Sequence, residues 1–206
     1  GSVGAAGQRV AQECAVRARS LHTIVQPFHP GMDQRHRAVK LAPMSEYLVT
    51  DVTDGIARIT LNRPNAINAL DDSMMNAMYE ALATWSKDDT VTAVEIAGNG
   101  ERGFCAGADV RTLAGLVADG GPWLHFLETE YALDMMIANY PKPVTSYMRG
   151  ITMGGGLGLG GHADRRIVYS DTVMAMPETK IGFFPDVGIM YQLSRAGAVG
   201  RHIAMT

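Results

Sequence analysis

The sequence predicts an α/β protein in which strands are joined by helical crossovers, and three observations carry that prediction. Short apolar runs of strand length recur along the chain, as in Val91–Ala97 and Val144–Met148. Longer segments with apolar residues at helical spacing separate them. Glycine and proline mark the junctions, as in Gly98-Asn99-Gly100 and Tyr140-Pro141-Lys142-Pro143. Strands that alternate with helices imply parallel pairing, because parallel neighbours need a crossover whereas antiparallel ones need only a hairpin.

Residues 1–43 read as an extension: Gly/Ala-rich, then Arg/His-rich, with Glu13 and Asp33 as their acids. Gly1-Ser2 looks like an expression scar. The segment is expected to be poorly ordered, with an Arg-rich, acid-poor presequence as the alternative. Met44-Ser45-Glu46 reads as a natural start, opening one domain over 44–206. Tyr47–Val52 and Ile56–Leu61 flank Thr53-Asp54-Gly55 and form a predicted hairpin. Asp71–Lys87 is a predicted helix, capped by Asp71 or Asp72, with Met75, Met78, Leu82 and Trp85 on one face. Val91–Ala97 follows as a strand. Trp123–Ala138 is a second helix, stopped by the Pro141/Pro143 pair. Val144–Met148 is a buried strand, Met153–Gly161 a glycine-rich helix start, and Arg166–Ser170 a further strand.

The chain has 206 residues, a formal charge of -3 and two cysteines, Cys14 and Cys105. That charge gives no footing for a nucleic-acid partner. No CxxC and no Cys/His cluster stands in the sequence, so no metal site is expected. No run of about 18 apolar residues suggests a membrane span.

Two glycine-bearing turns hold the first chemical signal. Phe104-Cys105-Ala106-Gly107-Ala108-Asp109 links a strand end to a helix that Asp109 could cap. Gly150–Gly161 carries glycines so densely that, at about 1 kcal/mol each against alanine in a helix, close packing or backbone access must compensate. N–H groups at a helix start favour negative charge, and two of them converging from separate turns form an oxyanion site. Gly156-Leu157-Gly158-Leu159-Gly160-Gly161 also fits GxGxxG, which keeps a dinucleotide-binding NAD(P) reading open.

The second signal is acidic. Glu178 and Asp186 sit in an apolar, Pro/Gly-punctuated stretch, where burial would raise a carboxylate pKa and make it a usable proton acceptor or donor. Equally, Glu178 reads as a first-turn acid after Pro177, and Asp186 as the N-cap of the next helix. No GxSxG elbow is present, so a serine-nucleophile route has no support.

Together these segments resemble the crotonase (enoyl-CoA hydratase/isomerase) superfamily. Asn62-Arg63-Pro64 with Asn65-Ala66-Ile67-Asn68-Ala69-Leu70 is similar to its opening motif. Phe104–Asp109 is similar to its F-x-A-G-A-D segment, Gly154-Gly155-Gly156 to its second turn, and Pro177-Glu178 to its second acid. The resemblance implies a spiral of β-β-α units acting on an acyl-coenzyme A thioester. Ala108 and Gly155 would be its oxyanion donors, and Arg63, Ala66 and Asp109 would lie along coenzyme A. Coenzyme A would arrive with the substrate, with no resident cofactor. Hydratases of the superfamily carry a glutamate where this chain has Gly158. The "GITMGGG", "MPET" and "IGFFPDVG" segments instead resemble the 3-hydroxyisobutyryl-CoA hydrolase subfamily. That implies Glu178 and Asp186 as catalytic acids, Glu130 as a substrate-binding residue on the Trp123–Ala138 helix, and a place in valine breakdown. From the residues alone, Glu130 also reads as part of a solvated helix face. Enoyl-CoA hydration or isomerisation and non-catalytic acyl-CoA binding or assembly stand as alternatives. Ile189-Met190-Tyr191 departs from the subfamily pattern, and members continue into a C-terminal helical region beyond the counterpart of Thr206. The expected location is cytoplasmic, with the mitochondrial matrix as alternative, and self-association is allowed.

Overall fold

The computed structural model describes residues 22–25 and 45–205. The expectations for residues 1–43 and for Met44 lie outside the described residues, except that His22–Val25 form a strand, β1. The hairpin is β2 (Leu48–Thr53) and β3 (Ile56–Leu61), paired antiparallel with Leu48 opposite Leu61. Asp54 and Gly55 both have positive φ, 54° and 77°, the twist a two-residue hairpin turn needs. α1 (Asp72–Ser86) starts where Asp71 accepts from Met74 N at 2.9 Å, and buries Met75, Met78, Leu82 and Trp85 as the spacing predicts.

Three strand pairs follow. β4 (Ala93–Gly98) and β5 (Gly103–Cys105) lead to α2 (Val110–Ala118) and α3 (Trp123–Ala138). β6 (Val144–Met148) and β7 (Ile151–Met153) lead to α4 (Gly155–Gly161). β8 (Arg165–Val168) and β9 (Val173–Ala175) lead, through a 3-10 turn at Pro177–Ile181, to α5 (Met190–Arg195) and α6 (Gly197–Met205). The first strand of each pair enters a six-stranded sheet of order β1-β8-β6-β4-β3-β2. The second enters a three-stranded sheet of order β5-β7-β9. Every pairing besides the β2/β3 hairpin is parallel. The chain therefore winds as β-β-α units, each stacked beside the last, as the resemblance implies.

α1 packs on β2 and β3 of the large sheet and against α3, around a core that includes Ile59, Leu61, Met74, Leu82, Ile96, Phe126 and Leu133. Each such side chain contributes about 1.5–3 kcal/mol on burial. A smaller cluster, Leu157, Met176, Val187, Ile189, Leu193 and Ile203, packs α4 against α5 and α6. α4 is buried along its whole length, and its glycines lie against neighbouring backbone and side chains. A Cβ at Gly156 would sit 2.4 Å from the Cys105 carbonyl, one at Gly160 2.5 Å from Met148 Sδ, and one at Gly161 2.3 Å from Ile189. The GxGxxG glycines thus lie inside the helix and serve packing, with no phosphate loop ahead of it. The dinucleotide reading fails on that ground.

Candidate active site

The two glycine-bearing turns meet. In the first, Gly107 takes φ +97°, and Leu70 clamps the turn from both sides: Leu70 N donates to Gly107 O at 2.8 Å, and Asp109 N donates to Leu70 O at 2.7 Å. In the second, Gly154 takes φ +52° and α4 begins at Gly155. A Cβ at Gly107 would stand 2.9 Å from Met153 O and 3.1 Å from Gly155 N, so the turns touch backbone to backbone. Among the described residues neither Ala108 N–H nor Gly155 N–H has an acceptor. Gly155 is the first residue of its helix, where an N–H has no intrahelical partner.

Carboxyl groups surround this junction. A Cβ at Gly154 would meet Glu178 Oε1 at 2.8 Å, and one at Gly155 would meet Glu130 Oε1 at 2.0 Å. Glu130 is 3% exposed, which rules out a solvated helix face. Its Oε1 is buried without a partner. Burial, with the Asp186 and Glu178 charges, pushes the Glu130 carboxyl up to about 8. Glu178 is a first-turn acid of the 3-10 turn and is buried as well; Oε2 has no partner. Burial, then Asp186, raises its pKa above the ordinary carboxylate range. Asp186 caps no helix: α5 starts at Met190 without a side-chain cap, and Asp186 instead accepts from Tyr131 Oη at 2.5 Å. Burial raises the Asp186 pKa and the Tyr131 hydrogen bond partly offsets that rise.

Arg63, Ala66 and Asp109 lie beside the first turn. Arg63 Nη1 pairs with Asp109 Oδ2 at 2.7 Å and donates to Ala69 O at 3.1 Å. Asp109 caps α2 by accepting from Arg111 N and Thr112 N at 3.1 and 3.3 Å. Burial works against the Asp109 charge, yet Arg63 and the capping amides hold its pKa below the usual range. Ala66 ends a 3-10 turn, Pro64–Ala66, that Arg102 pins through the Pro64 and Asn65 carbonyls, each at 2.6 Å.

Four residues went unread in the sequence. Asn68 is fully buried at φ +54°. It donates to Asn99, Gly103 and Phe104 carbonyls and accepts from Arg63 N, tying the two motif loops together. Its place in the Asn-Ala-Leu run was the available signal. Tyr131 holds Asp186, as above. His162 bonds the Val187 carbonyl at 2.7 Å. Asp134 stands one turn beyond Glu130, 1% exposed, with both oxygens unpartnered. Burial, then Glu130 and Asp186, raises its pKa well above normal. A Cβ at Gly158 would lie 2.7 Å from both Asp134 oxygens, so this carboxyl fills the space beside the position where hydratases carry glutamate.

A spiral of β-β-α units with two backbone turns meeting among carboxyl groups is the architecture of a crotonase-type protein. The chain belongs to the enoyl-CoA hydratase/isomerase family, which it matches over residues 56–206. It is 45% identical over 150 residues to a mitochondrial 3-hydroxyisobutyryl-CoA hydrolase of Danio rerio, covering 72% of this chain and 39% of that protein. It is 44% identical over 153 residues to the small ribosomal subunit protein mS47 of Neurospora crassa, covering 72% of this chain and 30% of that protein. Among solved structures it resembles a carnitinyl-CoA dehydratase from Mycobacterium thermoresistibile, with 48% identity and a TM-score of 0.73 over 78% of this chain and 48% of that one. An enoyl-CoA hydratase from Rhodobacter sphaeroides matches with 40% identity and a TM-score of 0.74, over 78% and 49%. The chain thus spans between 30% and 49% of the length of these proteins.

Proposed function

We propose that this protein hydrolyses an acyl-coenzyme A thioester, with 3-hydroxyisobutyryl-CoA as substrate. The observation that carries the reading is the placement of Glu130 and Glu178 at the junction of two turns with free N–H groups, with the Tyr131-held Asp186 close enough to raise both their pKa values, while position 158 offers no carboxylate from α4. The similarity to 3-hydroxyisobutyryl-CoA hydrolases at 38–45% identity supports the substrate.

Ala108 and Gly155 N–H groups receive the thioester oxygen and stabilise the negative charge that builds on it. One such donor contributes on the order of 3 kcal/mol to the transition state. Glu178, its pKa raised by burial, takes a proton from water as the water oxygen attacks the carbonyl carbon. The C–S bond then breaks, and the departing sulfur recovers that proton from Glu178, giving the free acid and coenzyme A thiol. Direct attack by Glu178 to form a mixed anhydride, later opened by water, is the other order of the same chemistry. Asp186 orients the substrate hydroxyl, and Glu130 holds the acyl group. Arg63, Ala66 and Asp109 line the coenzyme A side. The chemistry routes no step through a metal or resident cofactor. A mitochondrial address is proposed over the cytoplasmic one, following the names of the hydrolase relatives. Self-association remains part of the proposal and is read by sedimentation.

The test is thiol release from 3-hydroxyisobutyryl-CoA by the protein and by Glu178→Gln. Loss of about 100-fold or more in the variant is expected for a group that moves the reaction's proton. Undiminished release removes Glu178 from the mechanism. A second reading, hydration of an enoyl-CoA, draws on the identity to the dehydratase and hydratase structures. Robust turnover of crotonyl-CoA without thiol release would favour it. Coenzyme A binding with neither activity would favour a non-catalytic role, which the similarity to a ribosomal subunit protein makes concrete.

A further inference from the structure

We propose that His162 is a positioning residue for Asp186: from the C-terminal end of α4 it donates Nε2–H to the Val187 carbonyl and so holds the Asp186–Gly188 turn in the conformation that presents the Asp186 carboxyl. The inference rests on the hydrolase reading for its activity readout and on geometry for its structural one.

His162 is the C-cap residue of α4 and is 8% exposed, and its Nε2 lies 2.7 Å from Val187 O. A carbonyl only accepts, so the hydrogen is on Nε2. Nδ1 is buried without a partner. Burial, with the nearby Arg166 charge, lowers the ring pKa and the Val187 hydrogen bond partly offsets that, so Nε2–H is the donor that faces the carbonyl. Among the described residues no backbone N–H donates to the Val187 carbonyl, which leaves the imidazole as its partner.

Val187 needs such a restraint. It is a β-branched residue at φ +48°, a conformation in which its side chain crowds the backbone, and Gly188 follows at φ +66°. Released, Val187 would relax toward negative φ and swing the preceding residue. That residue is Asp186, whose side chain is held from α3 by Tyr131 and whose carbonyl accepts from Ile189 N at 3.2 Å. The hydrophobic cluster that Val187 shares with Leu157, Met176 and Ile189 seats the turn but does not choose the peptide's orientation. The hydrogen bond to the Val187 carbonyl does. Helix α4 therefore serves as a ruler: its first residue, Gly155, lies against Glu130, and its last cap residue fixes the turn that carries Asp186.

The experiment compares His162→Leu, which removes the donor, with His162→Gln, whose side-chain amide can donate from nearly the same place. Each is made in the natural sequence and with Val187→Gly, where glycine accepts positive φ without strain. Thiol release gives kcat and KM, and amide hydrogen exchange reports residues 186–188 against α4. The expected kcat loss for His162→Leu is about 30-fold with KM within about three-fold, since misplacement of a positioned group by about 1 Å costs on that order. His162→Gln should recover most of it, and Val187→Gly should shrink the His162→Leu loss to under about five-fold. Exchange at 186–188 should quicken at least ten-fold in His162→Leu while α4 stays protected. An equal loss in the Val187→Gly background, or unchanged exchange at 186–188, overturns the proposal. If the parent protein releases no thiol, the hydrolase reading fails by itself and the exchange comparison still decides the role of His162. Should His162→Leu not fold, His162→Asn, whose shorter amide falls short of the Nε2 position, carries the same comparison alone and with Val187→Gly.

Discussion

Replacing Glu130 by glutamine should make the protein more stable, and increasingly so as pH rises. Glutamine keeps the shape of a protonated glutamate but cannot ionise. The Glu130 carboxyl is 3% exposed, its Oε1 has no partner, and its pKa in the fold is about 8. In the unfolded chain a glutamate titrates near 4.3, so the gap is nearly four pH units, or about 5 kcal/mol at 1.36 kcal/mol per unit. The sign follows from the direction of the shift. A raised folded-state pKa means the fold favours the neutral acid, so the stability it supports is fully present below about pH 4 and is lost as pH rises through about 8. Between pH 5.5 and 8 the parent protein should lose about 3 kcal/mol relative to Glu130→Gln. Asp134 adds to the difference with the same sign, because the Glu130 charge is one cause of its raised pKa. Urea unfolding at half-unit steps from pH 5.5 to 9 reads the difference directly, with the slope of each transition checked for constancy. Parallel stability curves for the two proteins over that range would refute the reasoning, because they would mean that Glu130 is solvated or charge-paired in the fold.

Three further outcomes follow from the same geometry. Tyr131→Phe removes the hydrogen bond that holds the Asp186 pKa down, so the acid limb of the pH–rate profile should move to higher pH; an unmoved limb would detach Asp186 from the titration. Gly158→Ala places a Cβ 2.7 Å from both Asp134 oxygens and should lower stability by about 1–3 kcal/mol, with most of the loss recovered in Gly158→Ala/Asp134→Ala. Thermal unfolding of the parent protein and the two variants checks this. Asp109→Ala removes both the α2 cap and the partner of Arg63 and should lower stability by about 1–2 kcal/mol in urea unfolding, while Asp109→Asn, which can still cap, should lose less.

Much of the fold was legible because its long elements have strong periods. The β2/β3 hairpin, α1, α3 and β6 stand where alternation, capping and proline place them. The strands β5, β7 and β9 have three residues each, too few for a period of two to show, and only their pairing in the second sheet makes them strands. The glycine run was legible as a demand for close approach, but not what would approach. Cys105, Asp134, Met148 and Ile189 come from distant parts of the chain, and no local pattern announces them. The same holds for the site. Glu178, Asp186 and Glu130 were picked out through resemblance. Asp134, Tyr131 and His162 were not, because a buried, unpaired carboxyl on α3 and a surface-like tyrosine or histidine look alike in sequence. Their roles arise where α3, α4 and the Pro185–Gly188 turn pack together.

The most direct measurement is a crystal structure with a coenzyme A analogue in which the thioester sulfur is replaced by methylene and the carbonyl is kept. Binding through the two turns predicts the carbonyl oxygen within about 3.2 Å of both Ala108 N and Gly155 N, with Glu178 on the open face of the carbonyl carbon. A carbonyl oxygen well beyond hydrogen-bonding reach of either nitrogen, with Glu178 turned from the carbon, would contradict it.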